Sequence, residues 1–574
     1  MRKAVIGGFI WGGSFYFAPP HPKGRFLMKE LKNLTVGDML EETARKFPTH
    51  QAVKYIEMEF DKTWYEFNCK VDRIAKGLLG MGFKKGDHAA VWATNYPQWL
   101  TLFFATAKIG VILVTVNTNY KEYELEYVLK HSDSMSLFIC DGIKDIDCEK
   151  TIYSICPEII TCEKGQIRSE KLPYLRKVIS FDNYYEGMYH WNDIEAFGVL
   201  VSEKEYKAVR DSLDPDEVIN IQYTSGTTGF PKGVMLTHNN IVNNGLAIGD
   251  GMGFTENDRL CIPVPFFHCF GMVLGILAAV THGTTMLPLL WYTPMKVIHT
   301  IEYEKCTAVH GVPTMFIGMM EHRDFEKYDY STMRTGIMAG ATCPLKVMQD
   351  CVDKLNMKEI ITVYGLTEAA PGCTLTTVSD SVEIRVGTAG KTFPFMETKI
   401  IDPETGEEVG PNTSGEFCVR GYNVMKGYYK NEEATRMAID KDGWLHTGDL
   451  AEIDEQGYYK ITGRIKDMII RGGENLSPKE IEDVIYKHEG VKDVAVIAVP
   501  SYKYGEEVCA VIIPKAGADL DAEEIKSFVG KRLAKQKTPK YVVFKESLPL
   551  TASGKIQKYL LRDEAKKILG LKDV

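Results

Sequence analysis

No CxxC pair occurs in this chain, although it holds 13 cysteines. Without a close pair, the loose group Cys140, Cys148, Cys156 and Cys162 fits no zinc-ligand spacing. An odd number of cysteines scattered over 574 residues also argues against a disulfide framework. Free, mostly buried thiols in a reducing compartment are expected, and a cytoplasmic location with them. An excess of basic charge is lacking too. Lys and Arg total 68 against 77 Asp and Glu, a formal charge of −9. A nucleic-acid binder would carry a basic footprint, so no nucleic-acid partner is expected.

Repeats at solenoid or propeller periods are absent. So is a long uninterrupted apolar run. The stretch 272–291 contains His282, Gly283, Thr284, Thr285 and Pro288, which predicts a core helix, a turn and a strand, not a membrane span. The apolar stretch 4–17 is short for a span and runs into Pro19, Pro20 and Pro22 without a small-residue cleavage site. Met28 opens a segment that reads like an ordinary enzyme start. Residues 1–27 are therefore expected to be an N-terminal extension from an upstream start, with no stable membrane span. Two nucleotide fingerprints are missing as well. Gly390-Lys391-Thr392 mimics the end of a Walker A loop, but Arg385 stands where that motif needs glycine. Gly80-Met81-Gly82 lacks the third glycine of a dinucleotide loop.

What remains is 45% hydrophobic and 25% charged, the composition of a soluble globular protein. The length suggests about four lobes. Short apolar runs at 88–93, 110–116, 137–140, 218–223, 307–312 and 360–364 alternate with helical patterns such as 96–109, where Leu100, Phe103, Phe104 and Ala107 share a face. That alternation predicts parallel α/β sheets. After about Lys391, short strands separated by turn signals predict a small antiparallel or barrel-like piece. Beyond 463–467 a compact α+β unit follows. Ser477-Pro478-Lys479-Glu480 reads as a capping box opening a helix to His488, followed by strands at 493–499 and 508–514, a helix at 522–535 and a strand at 541–544. The chain is expected to divide into a large part, 28–465, and a small C-terminal cap, 466–574.

The segment richest in chemistry runs Tyr223-Thr224-Ser225-Gly226-Thr227-Thr228-Gly229-Phe230-Pro231-Lys232-Gly233. Glycines allow backbone N–H groups to turn toward an anion. Thr224, Ser225, Thr227 and Thr228 add hydroxyl donors, and Lys232 adds a charge. That is a phosphate cradle. Taken with Tyr364-Gly365-Leu366-Thr367-Glu368, it resembles the acyl-adenylate-forming ligases, the superfamily of acyl-CoA synthetases, adenylation domains and luciferases. The resemblance spans about 34–561 and includes GEFCVRGYNVMKGYY (415–429), DGWLHTGD (442–449), GRIKDMIIRGGENLSP (463–478) and PLTASGKIQK (549–558). Within that superfamily the pattern looks most like a medium- to long-chain fatty-acyl-CoA synthetase.

The resemblance implies an α/β fold of two parallel subdomains plus a small β-barrel-like subdomain, followed by a mobile α+β cap. It implies an enzyme that joins a fatty acid to ATP as acyl-AMP, then to coenzyme A, releasing pyrophosphate and AMP. A carrier-protein thiol as acceptor, or an aromatic acid as substrate, is the alternative. ATP, Mg²⁺ and coenzyme A are the implied small molecules, and the oligomeric state stays open. By the same resemblance, Lys555 bridges carboxylate and α-phosphate. Two anions must meet there, and one well-placed donor contributes about 3–4 kcal/mol to such a transition state. Thr367 and His268 stand at catalytic positions, His268 beside the acyl carboxylate. Thr224, Ser225, Gly226, Thr227, Thr228 and Lys232 hold phosphates. Gly340, Ala341, Thr342 and Tyr364 line the adenine pocket. Asp449 accepts the ribose hydroxyls, with Arg464 at the ribose–phosphate edge. Glu368 is the Mg²⁺ ligand, Lys466 the hinge, and Gly473 the point where the pantetheine arm passes. Local reading alone offers quieter roles: a surface lysine for Lys555, a turn aspartate for Asp449 and a satisfied core histidine for His268.

Overall fold

In a computed structural model, the structure describes residues 28–224, 231–341, 343–472, 474–550 and 556–571. The extension 1–27 and the expected site residues Ser225, Gly226, Thr227, Thr228, Thr342, Gly473 and Lys555 lie outside the described residues.

Two large sheets carry the body. The nine-stranded one runs, edge to edge, Lys391–Thr392, Gly372–Leu375, Glu359–Gly365, Thr335–Met338, Ala308–Gly311, Arg259–Ile262, Thr285–Pro288, Gln51–Tyr55 and Phe60–Thr63. Its strands from 359–365 to 51–55 are parallel, and antiparallel pairs close both edges. The eight-stranded sheet runs Gly427–Tyr428, Lys232–Thr237, Val218–Thr224, Ile112–Thr115, His88–Trp92, Ser136–Ile139, Lys177–Ser180 and Tyr189–His190. It is parallel from 218–224 onward, and antiparallel at the edge where 232–237 and 427–428 pair. The alternation of apolar runs and helices thus produces the expected parallel α/β architecture, because each parallel neighbour needs a crossover helix.

The helix Pro97–Ile109 departs from its reading. Every residue but Gln98 is buried, not one face alone. It is apolar nearly all round because it lies inside the body. Its own Trp99, with Trp64 and Trp92, is fully buried in the main core. The stretch 272–291 also differs. Phe270–Leu277 winds as a π-helix before Ala278–His282 continues as an α-helix and Thr285–Pro288 forms the expected strand.

The antiparallel piece after 391 is a four-stranded sheet, Met396–Ile401, Gly415–Gly421, Leu445–Ile453 and Tyr459–Arg464. The short 3₁₀ turn Ile465–Asp467 then leads into a five-stranded sheet of Glu474–Leu476, Ile469–Arg471, Gly505–Pro514, Val491–Ser501 and Tyr541–Phe544. This last sheet has a separate apolar core on each face. Its helices are shorter than the sequence suggested, Pro478–Ile485 and Ala522–Gly530. The expected capping box at Ser477 does not form. The Ser477 hydroxyl instead donates to the Thr462 carbonyl at 2.6 Å, across the connection between the two sheets. Among the described residues, no helix is long and apolar enough to cross a membrane.

Candidate active site

Four adjacent parallel strands of the nine-stranded sheet, 259–262, 308–311, 335–338 and 359–365, end on the same side. Parallel sheets bind ligands beyond the carboxyl ends of their strands, where the loops diverge. His268, Gly340–Ala341 and Tyr364–Glu368 all follow these strand ends. Gly340 holds φ +84°, a left-handed conformation open to glycine, so the chain can turn sharply into the exposed Ala341.

Thr224 and Lys232, at the two ends of the threonine-rich segment, are cross-strand partners in the antiparallel pair 218–224/232–237. Tyr127 clamps the outgoing arm, its hydroxyl donating to the Pro231 carbonyl at 3.1 Å. The incoming strand also touches the His268 region. Gln222 accepts a hydrogen bond from the Cys269 thiol at 3.0 Å, which ties the strand 218–224 to the start of the π-helix. His268 is half-buried, and its Nδ1 accepts the Phe270 N–H at 3.1 Å. Thr367 is buried at the start of the 3₁₀ turn Thr367–Ala369, which also carries Glu368.

Three of the expected nucleotide residues meet directly. Asp449 accepts the Tyr364 hydroxyl on Oδ2 at 2.8 Å and pairs through Oδ1 with Arg464 Nε at 2.8 Å. Asp449 and Arg464 are opposite each other in the antiparallel pair 445–453/459–464, and Tyr364 reaches them from the nine-stranded sheet. Burial, reinforced by Asp449, pushes the Tyr364 phenol well above its ordinary value, so it stays a donor. The Asp449 carboxylate raises Arg464 further. The Tyr364 ring meets Phe417 edge-on at 5.4 Å. Lys466 sits in the turn after Arg464. Desolvation and the Arg464 charge lower its ammonium below the usual lysine value.

Two residue sets were not assigned from the sequence. The first is Glu416 with His446. Glu416 accepts the Gly448 N–H on Oε1 at 3.0 Å and contacts His446 Nδ1 through Oε2 at 2.9 Å. Thr447 donates to the Phe417 carbonyl at 2.6 Å and accepts the Asp449 N–H at 3.1 Å. The strand segment 446–449 that presents Asp449 is therefore held at each residue. Glu416, Cys418 and His446 bring ligand-type atoms within 4.8 Å of one another. The carboxylate is committed to Gly448 and His446, and burial, then Glu416, pushes the Cys418 thiol up to about 12. The group acts as a hydrogen-bonded brace. The second is Tyr428, whose hydroxyl donates to Glu368 Oε1 at 2.9 Å and whose ring lies 4.8 Å from Lys232 Nζ. Both lie inside motifs already singled out, and only their contacts across the fold identify their roles.

Glu368 fits a Mg²⁺ ligand. One oxygen is oriented by Tyr428, and one carboxylate plus phosphate oxygens is the set this ion prefers.

The comparisons agree with this geometry. The AMP-binding enzyme family matches residues 40–429, and the AMP-binding enzyme C-terminal domain matches 480–555. The chain is 50% identical over 545 residues to YngI of Bacillus subtilis (strain 168), covering 95% of this chain and 99% of that protein. It is 40% identical over 544 residues to the mitochondrial medium-chain acyl-CoA ligase ACSF2 of Danio rerio, covering 94% and 90%. The crystal structure of ATP-bound MatB from Rhodopseudomonas palustris superimposes with a TM-score of 0.80 at 28% identity, over 93% of this chain and 100% of that one. Sheets, strand-end loops and matched sequence point the same way: this chain belongs to the AMP-binding enzyme family.

Proposed function

We propose that this enzyme converts a medium- to long-chain fatty acid to its CoA thioester through an acyl adenylate. ATP-dependent acyl-CoA formation fits the AMP-binding enzyme family, and YngI is named a putative acyl-CoA synthetase and ACSF2 a medium-chain acyl-CoA ligase. The observation that supports it best is the Tyr364–Asp449–Arg464 cluster. A carboxylate offers about four acceptor directions. Tyr364 and Arg464 take two of them, and two remain for the two hydroxyls of a ribose.

In the first half-reaction, the fatty carboxylate oxygen attacks the α-phosphorus and pyrophosphate leaves. Lys232 and the hairpin donors hold the β- and γ-phosphates, and Lys555 neutralises the meeting of the two anions. Bound Mg²⁺ on Glu368 would offset charge on the departing pyrophosphate. The cap then turns about Lys466, withdrawing Lys555 and bringing the Gly473 face to the acyl group. The coenzyme A sulfur attacks the acyl carbon, the bond to the phosphate oxygen breaks, and AMP leaves. A 3₁₀ turn between two separately cored sheets is suited to absorbing that rotation. The 13 free thiols support a reducing, cytoplasmic setting.

AMP formation with acids from acetate to palmitate, plus benzoate and coumarate, tests the acid class, and its dependence on added CoA tests the acceptor. Lys555→Ala is expected to slow ATP–pyrophosphate exchange by about 10²–10³-fold. Thioester formation from supplied acyl-AMP should be spared. Equal loss in both steps would contradict the alternating cap.

A further inference from the structure

The triphosphate end of the site is assembled from two different sheets. Lys232 starts the outgoing hairpin strand of the eight-stranded sheet, and Glu368 lies in the turn that follows a strand of the nine-stranded sheet. Neither sheet by itself sets the distance between these side chains. The segment 425–429 spans both. Its Met425 N–H donates to the Glu368 carbonyl at 2.9 Å. Its Lys426 and Tyr429 N–H groups donate to the Met235 and Gly233 carbonyls at 2.9 and 2.7 Å, and Gly427–Tyr428 pairs with Val234 and Met235 as an edge strand. Thr435 accepts the Tyr428 N–H at 2.9 Å. Gly427 holds φ +139°, and a Cβ there would come within 2.8 Å of Thr435. A glycine is what lets the segment close on this anchor.

At the centre of the segment, Tyr428 touches both functional side chains. Its hydroxyl orients the Glu368 carboxylate, and its ring faces the Lys232 ammonium. The geometry points to Tyr428 as a positioning residue that holds the magnesium carboxylate and the phosphate lysine in register for the triphosphate. This rests on the ATP-dependent reading above. Burial, with Glu368 beside it, raises the phenol above its ordinary value, so the hydroxyl remains a donor over the working pH range. A donor on one carboxylate oxygen restricts rotation of the group and leaves the other oxygen in a defined direction. The aromatic face attracts the ammonium without occupying its three N–H donors, which stay available for phosphate.

The test is equilibrium binding of α,β-methylene-ATP by calorimetry, with and without Mg²⁺. Tyr428→Phe keeps the ring and removes only the hydroxyl. It should bind the magnesium-free nucleotide like the parent and lose about tenfold of the affinity gained on adding Mg²⁺, as expected for a hydrogen bond to a charged group. Tyr428→Leu removes the ring as well, and magnesium-free binding should weaken by a further factor of about three. Y428F carries the test by itself if Y428L is misfolded. An unchanged magnesium gain in Y428F, or an equal loss with and without the ion, overturns the assignment. Failure of the unsubstituted chain to bind the nucleotide would overturn the ATP-dependent reading and this inference with it, whereas nucleotide binding with an unaltered magnesium gain in Y428F overturns the inference alone.

Discussion

Asp449 shows how much one side chain depends on its neighbours here. It is nearly buried, 6% exposed, yet its carboxylate is partnered on both oxygens, so its direction is set before any ligand arrives. Asp449→Ala should therefore raise the KM for ATP by about tenfold or more, the cost of losing hydrogen bonds to a charged acceptor. Initial-rate kinetics at saturating acid and CoA measure it, and an unchanged KM would remove Asp449 from the ribose site. At this scale the sequence was informative where a motif is contiguous. Tyr364, Asp449 and Arg464 stand in recognisable segments. Their mutual contact is invisible in a linear reading, because Tyr364 and Asp449 are 85 positions apart. Glu416 was unassigned for the same reason, since the Gly448 N–H it accepts lies 32 positions on.

Among the elements, the π-helix Phe270–Leu277 and the helix His238–Met252 each depend on a buried histidine. His310 faces the Leu274 carbonyl of the π-helix through Nε2 at 2.9 Å and accepts the Ile337 N–H on Nδ1 at 3.2 Å. His238 opens its helix and accepts the Val36 N–H on Nδ1 at 3.1 Å. Burial pushes both imidazoles down to about 4. An unfolded imidazole titrates near 6.5, so between these values the unfolded chain binds the extra protons. Stability from these rings is complete above about pH 6.5 and is lost as pH falls toward 4. At pH 5 each should cost about 2 kcal/mol relative to pH 7. Urea unfolding at the two pH values checks this, and His310→Gln should flatten the dependence by about half. A pH-independent midpoint from 7 to 5 would contradict it. The sequence predicted a core helix, a turn and a strand in 272–291 but not the π winding of Phe270–Leu277, and no local pattern shows that the Leu274 carbonyl meets His310 on a distant strand.

For the molecule as a whole, the decisive feature is the thin connection between body and cap. Ile465–Asp467 links the four-stranded and five-stranded sheets, and Ser477 bonds back to Thr462 across it. Burial pushes the Cys343 thiol up to about 12, and the Lys479 charge acts against that rise. Lys466→Pro, which fixes one backbone torsion in the connecting turn, should favour one half-reaction over the other. Pyrophosphate exchange compared with thioester formation from supplied acyl-AMP reads the ratio, and equal slowing of both would argue against a hinge at this residue. The amino-acid sequence by itself determined the alternation of strands and helices and the motifs proposed to carry phosphate, ribose and metal chemistry, because short-range sterics and contiguous donors are written locally. Only the tertiary structure decided that Tyr428 joins Glu368 to Lys232, that Glu416 braces the strand segment carrying Asp449, and that Ser477 bonds to Thr462 instead of capping its own helix. Those contacts exist because strand pairing and tertiary packing bring together side chains that chain spacing leaves far apart.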